Sequence, residues 1–141
     1  MRTLARLIIL PVLLFACYAL LFTFPAHAEG EFKTTYKVRY QIENTGQTTV
    51  TQTVTLENQT PNFYADKFEL KIGSTKINNL KAHDESGDLE TSVKFENNVT
   101  TISVKFNQRV IGQGKTLTFN LSYTTGEIAT KSGQIWEISV P

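Results

Sequence analysis

Residues 31–58, EFKTTYKVRYQIENTGQTTVTQTVTLEN, alternate apolar and polar side chains with a period of two. This period is typical of a β-strand that buries one face, because successive side chains of a strand point to opposite sides of a sheet. Residues 44–47, NTGQ, interrupt the alternation with amino acids that favour a tight turn. We therefore predict a β-hairpin with strands over residues 31–43 and 48–58, in which the even positions of the first strand, Tyr36 and Val38 among them, form the buried face.

The same alternation continues from residue 64 to the end of the chain. The residues expected to face inward are Phe68, Leu70, Ile72, Ile77, Leu80, Leu89, Val93, Phe95, Ile102, Val104, Phe106, Leu117, Phe119, Leu121, Tyr123, Ile135 or Trp136, Ile138 and Val140. Turn residues separate these stretches at intervals of about ten residues, without a helical period. We predict an all-β fold, an antiparallel β-sandwich of about seven or eight strands with immunoglobulin-like architecture. An up-and-down barrel is the alternative.

The first 28 residues have the pattern of a secretory signal peptide. Arg2 and Arg6 precede an apolar run at residues 7–24, and Ala26 and Ala28 follow it as an Ala-x-Ala cleavage pattern. The run also approaches the length that a spanning helix needs. We predict a signal-peptide helix that is cleaved after export, with an uncleaved membrane anchor through the apolar run as the alternative.

Cleavage is predicted between Ala28 and Glu29, which leaves residues 29–141 as an exported β-sandwich domain, secreted or held at the cell envelope. The chain stops at Pro141, directly after a predicted core strand. Since well-formed termini usually extend beyond the last core element, we expect the domain to continue into a longer protein.

Composition excludes several classes of function. The 141 residues carry 14 basic and 13 acidic side chains, for a net charge of +1, which argues against a nucleic-acid binder that works by neutralising phosphates. The single cysteine, Cys17, lies inside the apolar run, and the chain has two histidines. An intrachain disulfide and a multi-cysteine or histidine-rich metal centre are therefore excluded.

The stretch GKT at residues 114–116 ends like a phosphate-binding P-loop. That motif requires a glycine where this chain has Arg109 and a helix where residues 116–123 alternate as a strand, so we interpret the stretch as a turn that leads into a strand. His83, Asp84 and Ser86 lie in one predicted turn, where neighbouring side chains point in different directions, whereas a triad needs its base and its nucleophile on different elements. We predict no catalytic residues and no cofactor.

The spacing of Asp84, Ser86 and Asp88 resembles that of a calcium-binding loop. The glycine and the closing glutamate of such a loop are replaced by Leu89 and Phe95. Without them the loop lacks its sharp bend and its bidentate ligand. We interpret the stretch as a surface turn and predict no metal site.

Three aromatic residues are candidates for contact with a partner. Phe63 and Tyr64 follow a proline at a strand edge, and Trp136 lies in the last predicted strand. Aromatic side chains dominate binding hot spots, but they also supply large areas of core. The candidates are therefore partner contacts or, alternatively, core residues.

The N-glycosylation acceptor pattern occurs at Asn58, Asn98 and Asn120. Whether any of them is modified depends on the host, which the sequence leaves open.

Four stretches, residues 36–40, 48–58, 63–72 and 114–123, resemble the N-terminal β-domain of bacterial exported transglutaminase-like proteins, and distantly the lumenal β-region of ribophorin I. The resemblance covers residues 31–141. In that family a papain-like Cys-His-Asp site lies in a later domain, and no residue here matches its motif. The resemblance therefore implies a non-catalytic leading domain of a larger surface protein.

From these observations we predict a non-catalytic exported interaction or spacer module, the N-terminal accessory domain of a larger cell-surface transglutaminase-like protein. Its expected partner is a protein or polysaccharide at the cell surface, or a following domain of the same chain, and not a nucleic acid. A standalone envelope adhesin or carbohydrate-binding module, with Phe63, Tyr64 and Trp136 as an aromatic platform, is the alternative.

Overall fold

The computed structural model describes residues 30–73 and 76–140, and these residues form strands joined by turns, without a helix. The strands are β1 (Phe32–Ile42), β2 (Thr48–Asn58), β3 (Tyr64–Ile72), β4 (Asn78–Asp84), β5 (Gly87–Asp88), β6 (Glu90–Glu96), β7 (Val99–Ile111), β8 (Thr116–Thr125), β9 (Ala129–Ser132) and β10 (Ile135–Ile138). The predicted signal segment, residues 1–28, lies outside this part. Within it, no helix has the length and apolar character that crossing a membrane requires.

The strands pair antiparallel in two sheets and a hairpin. Sheet A has the order β1-β2-β8-β4-β5, sheet B has the order β3-β7-β6, and β9 pairs with β10. The sheets pack face to face, since the rings of Phe68 in β3 and Phe106 in β7 lie 5.3 and 5.5 Å from the ring of Phe119 in β8. The predicted all-β sandwich is confirmed. The strand count exceeds the prediction because the short strands β5 and β9 were not anticipated.

The core lies between β2 and β8 of sheet A and β3 and β7 of sheet B. Val54 and Phe119 are fully buried and directly opposite in the β2–β8 register. Burying one such side chain stabilises the fold by about 1.5–3 kcal/mol. The other fully or nearly fully buried apolar residues are Val50, Leu56, Phe68, Ile72, Ala82, Leu89, Ile102, Val104, Phe106, Val110, Leu121, Tyr123, Ile128 and Ala129. Most of the predicted core is thus confirmed.

Part of the predicted inner face is not buried. The residues at least 40 % exposed are Tyr36, Val38, Val93, Phe95, Ile135, Ile138 and Val140. Tyr36 and Val38 belong to the outermost strand of the wider sheet A, which sheet B does not fully cover. The β9–β10 hairpin stands outside both sheets, so the last predicted core strand was wrong as a core element. Local alternation gives the direction of a side chain but not what covers it.

The buried Asn58 side chain ties the end of β2 to its surroundings. Its Nδ2 donates to the carbonyl oxygens of Phe63 (2.7 Å) and Val110 (3.3 Å), and its Oδ1 accepts from the N–H of Thr60 (2.9 Å). Because the side chain is fully buried and its amide nitrogen is engaged, the folded domain withholds this position from glycosylation. Asn98, by contrast, is exposed in the β6–β7 turn.

Candidate interaction edge

Strand β1 forms the longest regular edge of the sandwich. Its 11 residues pair with β2 from Phe32 to Ile42 without a register shift, and its other side has no partner strand among residues 30–73 and 76–140. Sheet B ends in β3, whose register shifts after Ala65, and in β6, which has 7 residues. β1 therefore presents the longest uninterrupted row of unpaired backbone N–H and C=O groups, the usual template for pairing with another strand.

The inner side of β1 carries two apolar side chains, Tyr36 and Val38, that sheet B leaves partly uncovered. Tyr36 is 49 % exposed and Val38 is 40 % exposed, whereas Phe32 and Tyr40 on the same side pack against the core. The ring of Tyr36 lies 6.3 Å from that of Phe68, the nearest aromatic residue of the core. An added strand beside β1 can cover Tyr36 and Val38 with its own apolar side chains.

The outer side of β1 is basic. Lys33, Lys37 and Arg39 are exposed, and none of them has an ion-pair partner in the described part of the chain. The ion pairs of the described residues are Lys67–Glu69 (2.9 Å), Lys94–Glu96 (3.0 Å) and Lys105–Glu90 (3.0 Å), all on sheet B. The charges of Lys37 and Arg39 are thus not balanced by an ion pair or by an opposed carboxylate of β2 within the described residues.

The pairing on sheet B also affects ionisation. The hydrogen bond between Lys67 and Glu69 raises the pKa of the lysine and lowers the pKa of the glutamate. Both groups are exposed, so solvent screening keeps their contribution to stability small. The lysine nevertheless has a carboxylate partner on sheet B, whereas the basic residues of β1 have none in the described part of the chain.

The opposite side of sheet A is closed. β5 pairs with the end of β4, where Asp88 lies opposite His83. Asn79 has a positive φ of 53° beside a register shift in β4, which interrupts the regular edge. Asn107, on β7 of sheet B, donates from Nδ2 to the hydroxyl of Ser86 and to the carbonyl of Asp88, each over 3.2 Å. A short strand, a bulge and a side-chain bridge thus protect this edge.

The two motifs that resemble ligand loops fold as turns. Oδ1 of Asp84 accepts hydrogen bonds from the N–H (2.7 Å) and the hydroxyl (2.5 Å) of Ser86, so this oxygen closes the β4–β5 turn. The described residues contain no cluster of three or more His, Cys, Asp or Glu side chains that could hold a metal ion. Gly114 has a φ of +75° and β8 begins at Thr116, as expected for a turn that leads into a strand. His83 is exposed, 3.5 Å from the side-chain amide of Asn120.

Phe63 and Tyr64 lie on the surface near the start of β1. They are 50 % and 51 % exposed, and the carbonyl of Phe63 accepts the Asn58 hydrogen bond that fixes this end of the sandwich. The guanidinium carbon of Arg109 lies 4.7 Å from the centre of the Tyr64 ring, a cation–π geometry. Both aromatic residues are therefore available for contact beside the open edge.

Trp136 lies at the other end of the sandwich. It is partly buried beside Gly46 of the β1–β2 turn, and the ammonium group of Lys131 lies 5.5 Å from the centre of its ring. The whole of β2 separates this position from Asn58 and therefore from Phe63. The three predicted aromatic residues thus do not form one platform.

Sequence reasoning missed Tyr36 and Val38 as surface residues. Their alternation with Lys37 and Arg39 was visible, but it was interpreted as one buried face and one solvated face. The available signal was the concentration of basic residues, without an acidic one, on a single strand, which is a common property of edge strands.

No known protein family matches the chain, and no curated protein is significantly similar to it in sequence. We therefore infer a function from the sequence pattern and from the geometry of the described residues.

Proposed function

We propose that residues 29–141 form a non-catalytic, exported interaction module that binds a partner polypeptide by strand addition to β1. The observation that carries this proposal is the open edge of 11 residues, which pairs regularly with β2 on one side and has no described partner on the other. In this mode of recognition the backbone hydrogen bonds provide affinity, and the side chains on alternate positions provide specificity.

The half-exposed Tyr36 and Val38 support the same function. They follow each other on the inner side of β1, where an added strand would place its own side chains directly beside them. Covering apolar area that now faces water supplies a driving force that the backbone alone lacks, at about 25 cal/mol per Å². The edge thus combines a backbone template with an apolar anchor.

We further propose that the module is the N-terminal accessory domain of a larger cell-surface transglutaminase-like protein. The signal-peptide pattern before Glu29 and the resemblance of residues 31–141 to the leading β-domain of that family support this placement. In such a protein the chemistry belongs to a later domain. The β1 edge would then hold a substrate or partner chain in an extended conformation.

Strand addition is tested by NMR on the chain expressed at full length and purified in the form that the host produces. The probes are synthetic peptides of about nine residues, a common strand length, that alternate apolar residues with acidic, neutral or basic ones. We expect at least one peptide to shift the backbone amide resonances of β1 and to slow their hydrogen exchange.

A matched pair of variants locates the binding. Tyr36→Ser with Val38→Ser should weaken it, whereas Val93→Ser with Phe95→Ser should leave it unchanged. The second pair removes apolar side chains that are at least as exposed on average, from the other sheet and at the same spacing. Amide shifts confined to loops or to β6, or no binding of any peptide, would overturn the proposal.

A further inference from the structure

We infer that the strand bound at β1 alternates acidic with apolar residues. Its carboxylates would lie opposite Lys37 and Arg39 on the outer face, and its apolar side chains would lie beside Tyr36 and Val38 on the inner face. This inference rests on the strand addition proposed above and specifies the chemistry of the partner.

The neighbouring strand gives these two cations no carboxylate. In the β1–β2 register Lys37 lies opposite Thr53 and Arg39 lies opposite Thr51. The one acidic residue of β2, Glu57, lies opposite Lys33 at the far end. The free side of β1 is therefore the side from which a strand can bring opposite charges, and such directly opposed pairs stabilise a sheet.

The inner face makes the register specific. Side chains that lie opposite each other in neighbouring strands point to the same face, so an acidic residue opposite Lys37 places the next residue beside Val38. A slip by one residue would turn the carboxylates toward Val38 and Tyr36 and would remove apolar groups from them. Because burying an unpaired charge is costly, charge and hydrophobicity favour the same register.

A second copy of this chain fits the edge poorly in the registers that overlap along most of β1, which are centred on residues 36 to 39. Suppose that two β1 strands pair antiparallel with their apolar faces on the same side of the sheet. Even-numbered residues must then lie opposite even-numbered ones, and odd-numbered residues opposite odd-numbered ones. If the pair is centred on Val38, Lys37 lies opposite Arg39, and if it is centred on Tyr36, Lys33 lies opposite Arg39. Centring on Lys37 or Arg39 places that residue opposite its own copy. Like charges directly opposite destabilise a sheet, so charge complementarity favours an acidic strand.

The experiment compares three peptides that share their apolar residues and differ only at the alternate positions, which are Glu, Gln or Lys. Binding to the purified chain is measured by fluorescence anisotropy, and NMR places each bound peptide. We expect the Glu peptide to bind about tenfold more tightly than the Gln peptide, since two or three opposed charge pairs are gained. High salt should reduce this advantage, because the pairs are exposed.

Two charge-reversal variants test where the preference arises. Lys37→Glu with Arg39→Glu should make the Lys peptide the tighter ligand. Lys71→Glu with Lys94→Glu changes the net charge equally but on sheet B, and it should leave the preference for the Glu peptide in place.

The outcomes separate this inference from the function on which it rests. If all three peptides bind at β1 with equal affinity, the acidic-partner inference is overturned and strand addition stands. If no peptide reaches β1 whatever its charge, strand addition falls and the inference falls with it. If the chain instead pairs with itself through β1 and excludes the Glu peptide, a second copy is the partner and the inference is wrong.

Discussion

The two sides of sheet A differ in how they end. On the β4 side, β5, the irregular residue Asn79 and the bridge from Asn107 cover or interrupt the backbone. On the β1 side the backbone is regular and has no partner strand among residues 30–73 and 76–140, and exposed basic side chains protect it. Natural sheets use both devices against unwanted pairing.

The difference has a functional consequence. A bulge or a covering strand excludes every partner, because it removes the backbone groups that pairing needs. Charge excludes only partners of the same sign and attracts those of the opposite sign. An edge that is protected by the basic side chains of Lys33, Lys37 and Arg39 therefore stays open to a selected strand, whereas the β4 edge offers only a short, irregular stretch of backbone.

The largest effect is expected where the open side is anchored. Asn58→Ala removes three hydrogen bonds and leaves the Phe63 and Val110 carbonyls without their donor, so the free energy of unfolding should fall by about 3 kcal/mol. Chemical denaturation measures the change. Asn62→Ala, at an exposed loop position, is the control and should cost less than about 0.5 kcal/mol. Equal effects would show that the anchor is not at Asn58.

The other end of the open side should be nearly as sensitive. Gly46 has a φ of +89°, and an added Cβ would lie 3.0 Å from the carbonyl oxygen of Ala129. Gly46→Ala should therefore lower the free energy of unfolding by about 2 kcal/mol. Gly73→Ala meets no atom within 4 Å and serves as the control. Thermal unfolding followed by circular dichroism separates them, and a neutral Gly46→Ala would contradict a tight β1–β2 turn.

The comparison of the two sides is tested directly by neutralising each. Lys37→Thr with Arg39→Thr should raise the rate of aggregation roughly tenfold, because the exposed edge loses its charges. Lys81→Thr removes the one lysine of β4, where cover remains, and should leave the rate near that of the unmodified chain. Light scattering at fixed concentration gives both rates. Similar rates for the two variants would refute the difference between the sides.

A smaller effect is expected from opening the closed side. Asn107→Ala removes the donor to Ser86 and Asp88, which should cost about 1 kcal/mol and speed amide exchange in the β4–β5 hairpin. Gln108→Ala is the control, since its side chain is exposed next to the bridge. The measurement is amide hydrogen exchange in β4, followed by NMR. Equal protection of β4 in the two variants would contradict a stabilising role of the Asn107 bridge.

The smallest effect concerns Tyr123, in the strand between the two sides. Burial and the nearby Tyr40 raise the pKa of its phenol above the ordinary 10.0, against the opposing hydrogen bond from Gln52. The folded chain therefore holds this proton more tightly than the unfolded chain. The contribution of this proton to the free energy of unfolding is fully present below about pH 10 and is lost as the pH rises through the raised pKa.

Tyr123→Phe should flatten this alkaline decline, as measured by denaturant unfolding between about pH 8 and pH 11. Tyr64→Phe alters an exposed phenol and should leave the decline in place. An unchanged decline in the Tyr123 variant would assign it to other groups.

Much of the fold could be predicted from pattern alone. The bounds of β2 agree with the predicted strand, and β1 and β8 differ from theirs by one or two residues at their ends. These stretches alternate strictly because one face of each points toward the core. β10 was predicted as a strand, but β9 was not, because Ile128 and Ala129 are buried by contacts outside any alternating run.

The candidate site was less accessible to prediction. Phe63 and Tyr64 were proposed as contact residues and are exposed, while Trp136 lies partly buried at the opposite end. The residues that define the open edge, Tyr36 and Val38, were assigned to the interior. Their environment depends on which strand ends the sheet, and the amino acids of β1 do not encode that order locally.

By itself, the sequence determined that the chain forms strands, where most of them begin and end, and which side of the central strands is apolar. These properties follow from the pleat of a strand, in which successive side chains point to opposite faces, and this depends only on residues that are adjacent in the chain. Only the tertiary structure decided that β1 is open, that β4 is covered and that Asn58 is buried. These properties arise from pairing between distant segments, such as β2 with β8 and Asn107 with the β4–β5 hairpin.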